Sequence, residues 1–122
     1  MKRALFLINP QTAKAALSPH LIDIIDLLEK SGYAVQIHIT QSKGDACRTV
    51  TAIGDKFSLV ICAGGDGTLN ETVSGLLHTE TKPPIGYIPS GTTNDFAVSW
   101  GIPTNPLEAA HTIVRSEPLA MD

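Results

Sequence analysis

The sequence predicts an α/β fold: a three-layer α/β/α, Rossmann-like domain with a mainly parallel sheet. Short apolar runs of strand type alternate along the chain with amphipathic patterns of helical period, which is the order of repeated strand-helix units. Two of the runs, residues 4–8 and 57–63, are almost continuously apolar, as expected of strands that are covered on both faces. The chain has 122 residues, 43% of them hydrophobic, which suits one compact domain over residues 1–122.

The first half of the chain begins with the strand pattern of residues 4–8. A helix is predicted to begin at Ser18-Pro19, as an N-cap serine and a first-turn proline, and to end at Gly32. Its apolar residues recur at helical spacing: Leu21, Ile24, Ile25 and Leu28. Residues 33–40 alternate between apolar and polar side chains, which predicts a second strand near the edge of the sheet. A second helix is predicted between Gly44 and Gly54, with apolar positions at Ala46, Val50 and Ile53.

The second half continues the alternation from the third strand. A glycine-rich turn at residues 64–67 leads into a helix with apolar positions at Leu69, Val73, Leu76 and Leu77. Residues 85–89 predict a fourth strand, followed by a turn at Ser90-Gly91. A short helix is predicted from Phe96, Ala97 and Trp100, and a last helix from Asn105-Pro106 to about Arg115.

Composition and charge exclude several classes of protein. A formal net charge of −3 and a pI near 5.7 argue against a nucleic-acid partner, because no basic stripe is present to neutralise a phosphate backbone. The first apolar run is shorter than the ~7–15 residues of a signal-peptide core, and no segment reaches the ~18 apolar residues of a membrane span. Cys47 and Cys62 lack the spacing of metal ligands and are interpreted as reduced side chains. These features predict a cytoplasmic chain.

The most informative motif is Gly64-Gly65-Asp66-Gly67-Thr68-Leu69-Asn70-Glu71, between the third strand and its helix. A glycine turn of this kind places backbone N–H groups and a helix N-terminus at the carboxyl end of a buried strand, which favours a bound anion such as phosphate. Asp66 supplies a carboxylate suited to Mg²⁺ or to an attacking hydroxyl. The alternative is structural: Thr68 and Glu71 have the spacing of a capping box, and the glycines then only make a tight turn.

A second loop of the same kind follows the fourth strand. Thr92 to Asp95 has the pattern of another helix start, and its alternative interpretation is ordinary loop capping. Right-handed crossovers place every strand-to-helix loop at one rim of a parallel sheet. The loops concerned are residues 9–12, 40–42, 64–68 and 90–93, which brings Thr68, Asn70, Thr92 and Asn94 towards a common ligand.

Together these motifs resemble the catalytic domain of the diacylglycerol kinase and sphingosine kinase family, in its soluble bacterial lipid kinase form. The resemblance is carried by Gly64 to Glu71, Ile88-Pro89-Ser90-Gly91-Thr92-Thr93-Asn94-Asp95-Phe96-Ala97, Asn9-Pro10, and Thr40 before Gly44-Asp45-Ala46. It covers essentially the whole chain. NAD kinases and phosphofructokinases share a comparable glycine loop, but the second segment is most similar to the lipid kinases.

The resemblance implies which residues surround the phosphates of ATP. They are Asn9, Pro10, Gln11, Thr12, Ala13, Thr40, Gly65, Asp66, Gly67, Thr68, Leu69, Asn70, Glu71 and Thr92, with Asp66 as the central acidic residue. The chain departs from the family pattern at two positions. Ala13 stands where the opening loop usually has a glycine, which stiffens the approach to the phosphates. Val98 stands where an arginine often follows the Asp-Phe-Ala triplet, which removes a cation.

By this resemblance, the full-length protein is expected to be a kinase that requires ATP and Mg²⁺ and phosphorylates a lipid hydroxyl, such as that of diacylglycerol, in transient contact with a membrane surface. Family members are two-domain proteins of well over twice this length. Residues 1–122 are therefore expected to be a nucleotide-binding domain that lacks a C-terminal β-rich, lipid-binding domain. Its uncovered apolar surface is expected to encourage self-association. The alternatives are an NAD kinase-like phosphotransferase and a non-catalytic nucleotide-binding regulatory module.

Overall fold

The structure, a computed structural model, describes residues 2–89 and 105–115. The strands of this part are β1 (Lys2–Ile8), β2 (Tyr33–Ile39), β3 (Leu59–Gly64) and β4 (Ile85–Pro89). Its α-helices are α1 (Pro10–Leu17), α2 (Leu21–Lys30), α3 (Asp45–Ile53), α4 (Asp66–Leu76) and α5 (Pro106–Arg115). Single 3₁₀ turns, Ser18–His20 and Gly54–Lys56, precede α2 and β3.

The described strands form one parallel sheet in the order β2-β1-β3-β4. The chain moves outward from β1 to β2, crosses back to β3 and then continues to β4, so the direction of winding reverses between β1 and β3. In open parallel sheets, ligands bind outside the carboxyl ends of the strands at such a reversal. The backbone of Asn9, directly after β1, reaches this point and donates a hydrogen bond to the Ala63 carbonyl of β3 (3.0 Å).

Helices cover both faces of the sheet and enclose separate apolar cores. On one face, α1, α2 and α5 pack against the side chains of Phe6, Ile61 and Ile88. On the other face, α3 and α4 pack against a second set that includes Leu7 and Cys62. Burial raises the pKa of the Cys62 thiol to about 12, as expected of a packed side chain rather than a nucleophile. The predicted α/β class and its three layers are therefore confirmed.

The helix α1 is absent from the sequence prediction, which treats residues 9–12 as a loop. Asn9 is its N-cap, with Oδ1 accepting a hydrogen bond from the Gln11 N–H (3.1 Å), and Pro10 is its first residue. Proline suits this position because the first N–H of a helix has no intrahelical acceptor. Ser18 is consequently the C-cap of α1 and does not cap α2, which begins at Leu21 after a 3₁₀ turn.

Other expectations are confirmed with local corrections. β2 lies at one end of the described sheet, as its polar alternation predicts, and Ile37 is 40% exposed there. Leu77 does not belong to the apolar stripe of α4: it is 55% exposed because α4 ends at Leu76.

The helix predicted from Asn105-Pro106 is present, and Asn105 caps it by accepting from the Leu107 N–H (3.0 Å). The loop and short helix predicted for residues 90–101 lie outside the described residues. Among the described helices, none has the length and apolarity needed to cross a bilayer.

Candidate functional site

A cleft of about 560 Å³ lies at the carboxyl ends of β1 and β2, between the beginnings of α1 and α4. Its volume is in the range of sites for small ligands and cofactors. The residues lining it that the sequence predicts are Asn9, Pro10, Gln11, Thr40, Gly67, Thr68 and Glu71. It is also lined by Ile39, Gln41, Ser42, Lys43 and Ala46, which are not among the site residues that the sequence predicts.

Asn9 joins the three chain segments that meet at the base of the cleft. Its backbone N–H bonds to β3, its Oδ1 caps α1, and its Nδ2 donates to Thr68 Oγ1 in the first turn of α4 (3.0 Å). These contacts fix the beginnings of α1 and α4 relative to each other.

The loop of residues 40–44 forms the opposite wall of the cleft. Thr40 is buried, and both its N–H (2.9 Å) and its hydroxyl (3.3 Å) donate to the Ile8 carbonyl of β1. Gly44 adopts a left-handed φ of 86°, and its N–H donates to the Glu71 carboxylate (3.0 Å). Glu71 therefore anchors this loop to α4 across a separation of 27 residues.

The carboxylate of Asp45, at the start of α3, also holds the loop of residues 40–44 in place. This carboxylate accepts hydrogen bonds from the Gln41 N–H (2.7 Å) and the Thr49 hydroxyl (3.0 Å), and it lies 3.2 Å from His38 Nε2. The hydrogen bond from the Gln41 backbone, helped by those from His38 and Thr49, holds the pKa of Asp45 below its ordinary value of 3.8. The ionised carboxylate thus stabilises the folded wall of the cleft.

Replacing Asp45 by asparagine is expected to lower the free energy of unfolding at pH 7 by about 1–2 kcal/mol, since hydrogen bonds to a charged group are lost or weakened. Because the folded-state pKa lies below the unfolded-state value, this stabilisation is complete above pH 3.8 and disappears as the pH falls through the folded-state pKa. Urea unfolding of both proteins at neutral pH and at a series of acidic pH values measures the difference.

Asp26→Asn provides the matched control on the surface of α2. Asp26 is 58% exposed in its i,i+4 pair with Lys30, so its replacement is expected to cost only about 0.2–0.5 kcal/mol. Equal effects of the two substitutions at pH 7 would show that Asp45 does not hold the loop.

The glycines of the turn before α4 have different roles in the structure. A Cβ at Gly64 would lie 2.7 Å from Thr68 Oγ1, so the fold itself requires glycine there. At Gly65 and Gly67 a Cβ would meet nothing within 4 Å, and neither residue has a left-handed φ. Packing and backbone strain within the described residues therefore do not require glycine at either position, whereas close approach of a ligand to the backbone would.

The capping-box interpretation of this motif is wrong. Gly65 is the N-cap of α4 and provides no side-chain hydrogen bond. The first backbone bond of the helix runs from the Leu69 N–H to the Gly65 carbonyl (3.2 Å), so Thr68 lies inside the helix and accepts from Asn9 instead of capping. Among the described residues, the N–H groups of Gly67 and Thr68 have no acceptor in the helix, and a helix N-terminus of this kind stabilises an anion.

Asp66 is the first residue of α4 and lies on the side of β4, outside the lining of the cleft. The Tyr87 hydroxyl lies 3.4 Å from Asp66 Oδ1 and 3.2 Å from the Gly64 carbonyl oxygen. Burial, with smaller effects of Cys62 and Asp66, raises the pKa of Tyr87, so the phenol is a neutral donor beside the carboxylate. A carboxylate at this position is a ligand type that Mg²⁺ prefers.

The remaining residues predicted from the sequence do not line the cleft. The side chains of Ala13 and Leu69 are buried in the cores, and the Ala13 N–H bonds to the Asn9 carbonyl (2.8 Å). Thr12 and Asn70 are exposed, and Gly65 lies beside the cleft at the N-cap of α4. Thr92 lies outside the described residues.

Comparison with known proteins shows the family to which this sequence and fold belong. The sequence profile described as "Diacylglycerol kinase catalytic domain" matches residues 3–122. The chain belongs to this family. It is 42% identical over 117 residues to a diacylglycerol kinase of Bacillus subtilis (strain 168), covering 94% of this chain and 39% of the relative. It is 36% identical over 122 residues to a diacylglycerol kinase of Staphylococcus carnosus (strain TM300), covering 99% of this chain and 40% of the relative.

A solved structure supports the same assignment at the level of the fold. The crystal structure of a diacylglycerol kinase from Bacillus anthracis str. Sterne superposes with a TM-score of 0.82 at 34% identity, covering 93% of this chain and 42% of that one. The chain thus spans about two fifths of the length of these members of the diacylglycerol kinase family.

Proposed function

We propose that this chain is the N-terminal, ATP-binding domain of a lipid kinase, which transfers the γ-phosphoryl group of ATP to a lipid hydroxyl such as that of diacylglycerol. The observation that supports this most directly is the open space at Gly65 and Gly67, where the N–H groups of Gly67 and Thr68, which have no acceptor among the described residues, lie beside a nucleotide-sized cleft. Membership of the diacylglycerol kinase family supports the lipid acceptor.

The described side chains suggest how the phosphates are held. The N–H groups of Gly67 and Thr68 and the Thr68 hydroxyl are suitable donors to phosphate oxygens. Lys43 is the only cation among the described residues that line the cleft, and it supplies positive charge. Glu71 and Asp45 keep the loop that carries Lys43 in position through their bonds to Gly44 and Gln41. Thr40, Asn9, Pro10 and Gln11 complete the walls.

Asp66 is proposed to act on the reacting end of the nucleotide. Its carboxylate is suited to hold Mg²⁺, which would neutralise charge on the phosphoryl group when bound. Tyr87 donates towards Asp66 and towards the Gly64 carbonyl and so helps to orient the turn. Most of the rate enhancement would come from positioning and charge neutralisation.

We further propose that the full-length protein contains a C-terminal, β-rich domain. The lengths of the relatives support this proposal, since the chain spans only 39% and 40% of two of them. The second domain would bind the lipid, supply the general base and cover the nucleotide. We place the enzyme in the cytoplasm, in transient contact with a membrane surface.

The proposed activity is tested by incubating the full-length protein with labelled ATP, Mg²⁺ and diacylglycerol in mixed micelles. Labelled phosphatidic acid that disappears when Mg²⁺ is chelated is the expected product. Absence of any labelled lipid, with the protein folded and bound to ATP, would favour a non-catalytic module instead.

The isolated 122-residue chain is expected to fold but to bind Mg·ATP more weakly than about 100 μM and to phosphorylate no lipid. Its two apolar cores are of the kind that an independently folding domain has, whereas without a covering domain water would reach every phosphate contact. Calorimetric titration, a lipid kinase assay and light scattering for self-association measure these properties. Micromolar ATP binding together with lipid phosphorylation would show that the site is complete within these residues.

Replacing Lys43 by glutamine in the full-length protein is expected to raise the Kd of ATP about tenfold. The Kd of ADP is expected to rise by a smaller factor, and the Kd of AMP by the smallest factor of the three. The reason is that the attraction between the ammonium group and the nucleotide grows with the number of phosphate charges. Titrations at low ionic strength, where charge interactions are least screened, measure the three affinities. Lys30→Gln on α2, where Lys30 pairs with Asp26, is the control and should change none of them. Equal losses for all three nucleotides would contradict a phosphate contact by Lys43.

A further inference from the structure

The side-chain amide of Asn9 has an orientation that its surroundings determine. Its oxygen faces the Gln11 N–H at 3.1 Å, and its nitrogen faces Thr68 Oγ1 at 3.0 Å. Rotating the amide by 180° would direct its NH₂ group at the Gln11 N–H, so two donors would face each other and the cap of α1 would be lost. The capped helix therefore fixes Asn9 Nδ2 as a donor to Thr68.

This donor fixes the direction of the hydrogen bond at Thr68. Since Thr68 Oγ1 accepts from Asn9, the hydroxyl proton must be directed away from that bond. Within residues 2–89 and 105–115, the Thr68 hydroxyl donates no hydrogen bond. Thr68 is only 6% exposed, and it lines the cleft. A buried donor without an acceptor is costly, at about 1–3 kcal/mol, and such groups are rare in folded proteins.

We infer that Asn9 is a positioning residue that turns the Thr68 hydroxyl into a fixed donor for a ligand with acceptor atoms only. Phosphate oxygens have this chemistry, because they accept hydrogen bonds and carry no proton to donate when fully ionised. The inference rests on the proposed function for the identity of the ligand, ATP. It goes beyond that proposal by assigning Asn9 an action through Thr68 instead of a direct contact with the nucleotide.

Asn9→Asp in the full-length protein separates the two roles of this side chain. Aspartate caps a helix as well as asparagine does, so α1 remains capped. It cannot donate to Thr68, and the Thr68 hydroxyl is then expected to turn and donate to the new carboxylate. The Kd of Mg·ATP, measured by calorimetric titration, is expected to rise at least about tenfold with the melting temperature little changed.

Asn105→Asp is the matched control, since Asn105 caps α5 in the same way before a proline and does not line the cleft. The affinity of the Asn105→Asp protein for Mg·ATP is expected to stay within about twofold of the wild-type value.

Asn9→Ser gives a neutral version of the test, because serine also caps helices and brings no charge. It is expected to weaken ATP binding less than Asn9→Asp does.

The decisive measurement is the coupling between Asn9 and Thr68. In a Thr68→Ala background, Asn9→Ser is expected to leave the Kd of ATP unchanged, and the effect of Asn9→Asp is expected to fall to about threefold or less. Effects of undiminished size in that background would show that Asn9 acts by its own contact or charge, and the inference would be wrong. A wild-type protein that does not bind Mg·ATP would overturn the proposed function and this inference with it.

Discussion

Replacing Asp66 by asparagine is expected to reduce phosphoryl transfer by the full-length protein on the order of 10²–10³-fold, or about 3–4 kcal/mol of transition-state stabilisation. Asparagine keeps the shape of the side chain at the first position of α4 and removes its charge. The loss follows if the carboxylate holds Mg²⁺ or orients the acceptor, because a neutral amide does either poorly. Initial rates at saturating ATP and lipid, measured over a range of Mg²⁺ concentrations, give the result.

Asp55→Asn is the matched control for this substitution. Asp55 accepts hydrogen bonds from the Glu80 and Thr81 N–H groups and from the Thr81 hydroxyl, and it does not line the cleft. Its replacement is expected to lower stability with turnover unchanged. Wild-type turnover of the Asp66→Asn protein at saturating Mg²⁺ would exclude a catalytic role for the carboxylate.

Replacing Gly67 by alanine is expected to preserve or raise stability while weakening ATP binding at least tenfold, or about 1.4 kcal/mol. Alanine in a helix is more favourable than glycine by about 0.5–1 kcal/mol, and the new Cβ meets no protein atom within 4 Å. The same Cβ projects into the space that we assign to the nucleotide. Thermal unfolding without ligand and calorimetric titration with Mg·ATP measure the two effects.

Gly75→Ala, on the same helix, is expected to give the opposite result. A Cβ at Gly75 would lie 2.8 Å from the Cys47 carbonyl oxygen, where α3 and α4 pack closely, so overpacking is expected to cost about 1–3 kcal/mol. The affinity for ATP should be retained at temperatures where the variant is folded. Loss of stability without loss of ATP affinity at Gly67 would mean that its glycine serves the fold and not the ligand.

The strands and most helices could be predicted from the sequence because their signals are local. The continuous apolar run before Gly64 identified a buried strand, and Asn105-Pro106 identified the start of α5. The same Asn-Pro signal occurs at Asn9-Pro10, but α1 buries only Ala13 and Leu17, so its apolar pattern is too sparse to mark a helix. Its treatment as a loop was therefore wrong.

The contacts that build the cleft could be predicted less well, because they join residues far apart in the chain. Thr68 and Glu71 have the spacing of a capping box, but Thr68 bonds to Asn9 and Glu71 to Gly44. Such pairings depend on how α1, α3 and α4 are placed around the sheet. The local signal that could have pointed to the proposed phosphate contact of Lys43 is its position just before the start of α3, at the carboxyl ends of the strands.

The most direct test of the proposed lipid kinase is a competition between acceptors for labelled phosphate. The full-length protein would receive labelled ATP and Mg²⁺ with diacylglycerol, ceramide, a sphingoid base, an undecaprenol-like alcohol, phosphatidylglycerol and NAD, each alone and then together. We expect labelled phosphatidic acid from diacylglycerol, in an amount that falls at least about a hundredfold with Asp66→Asn. Labelled NADP alone, with every lipid unlabelled, would contradict the assignment.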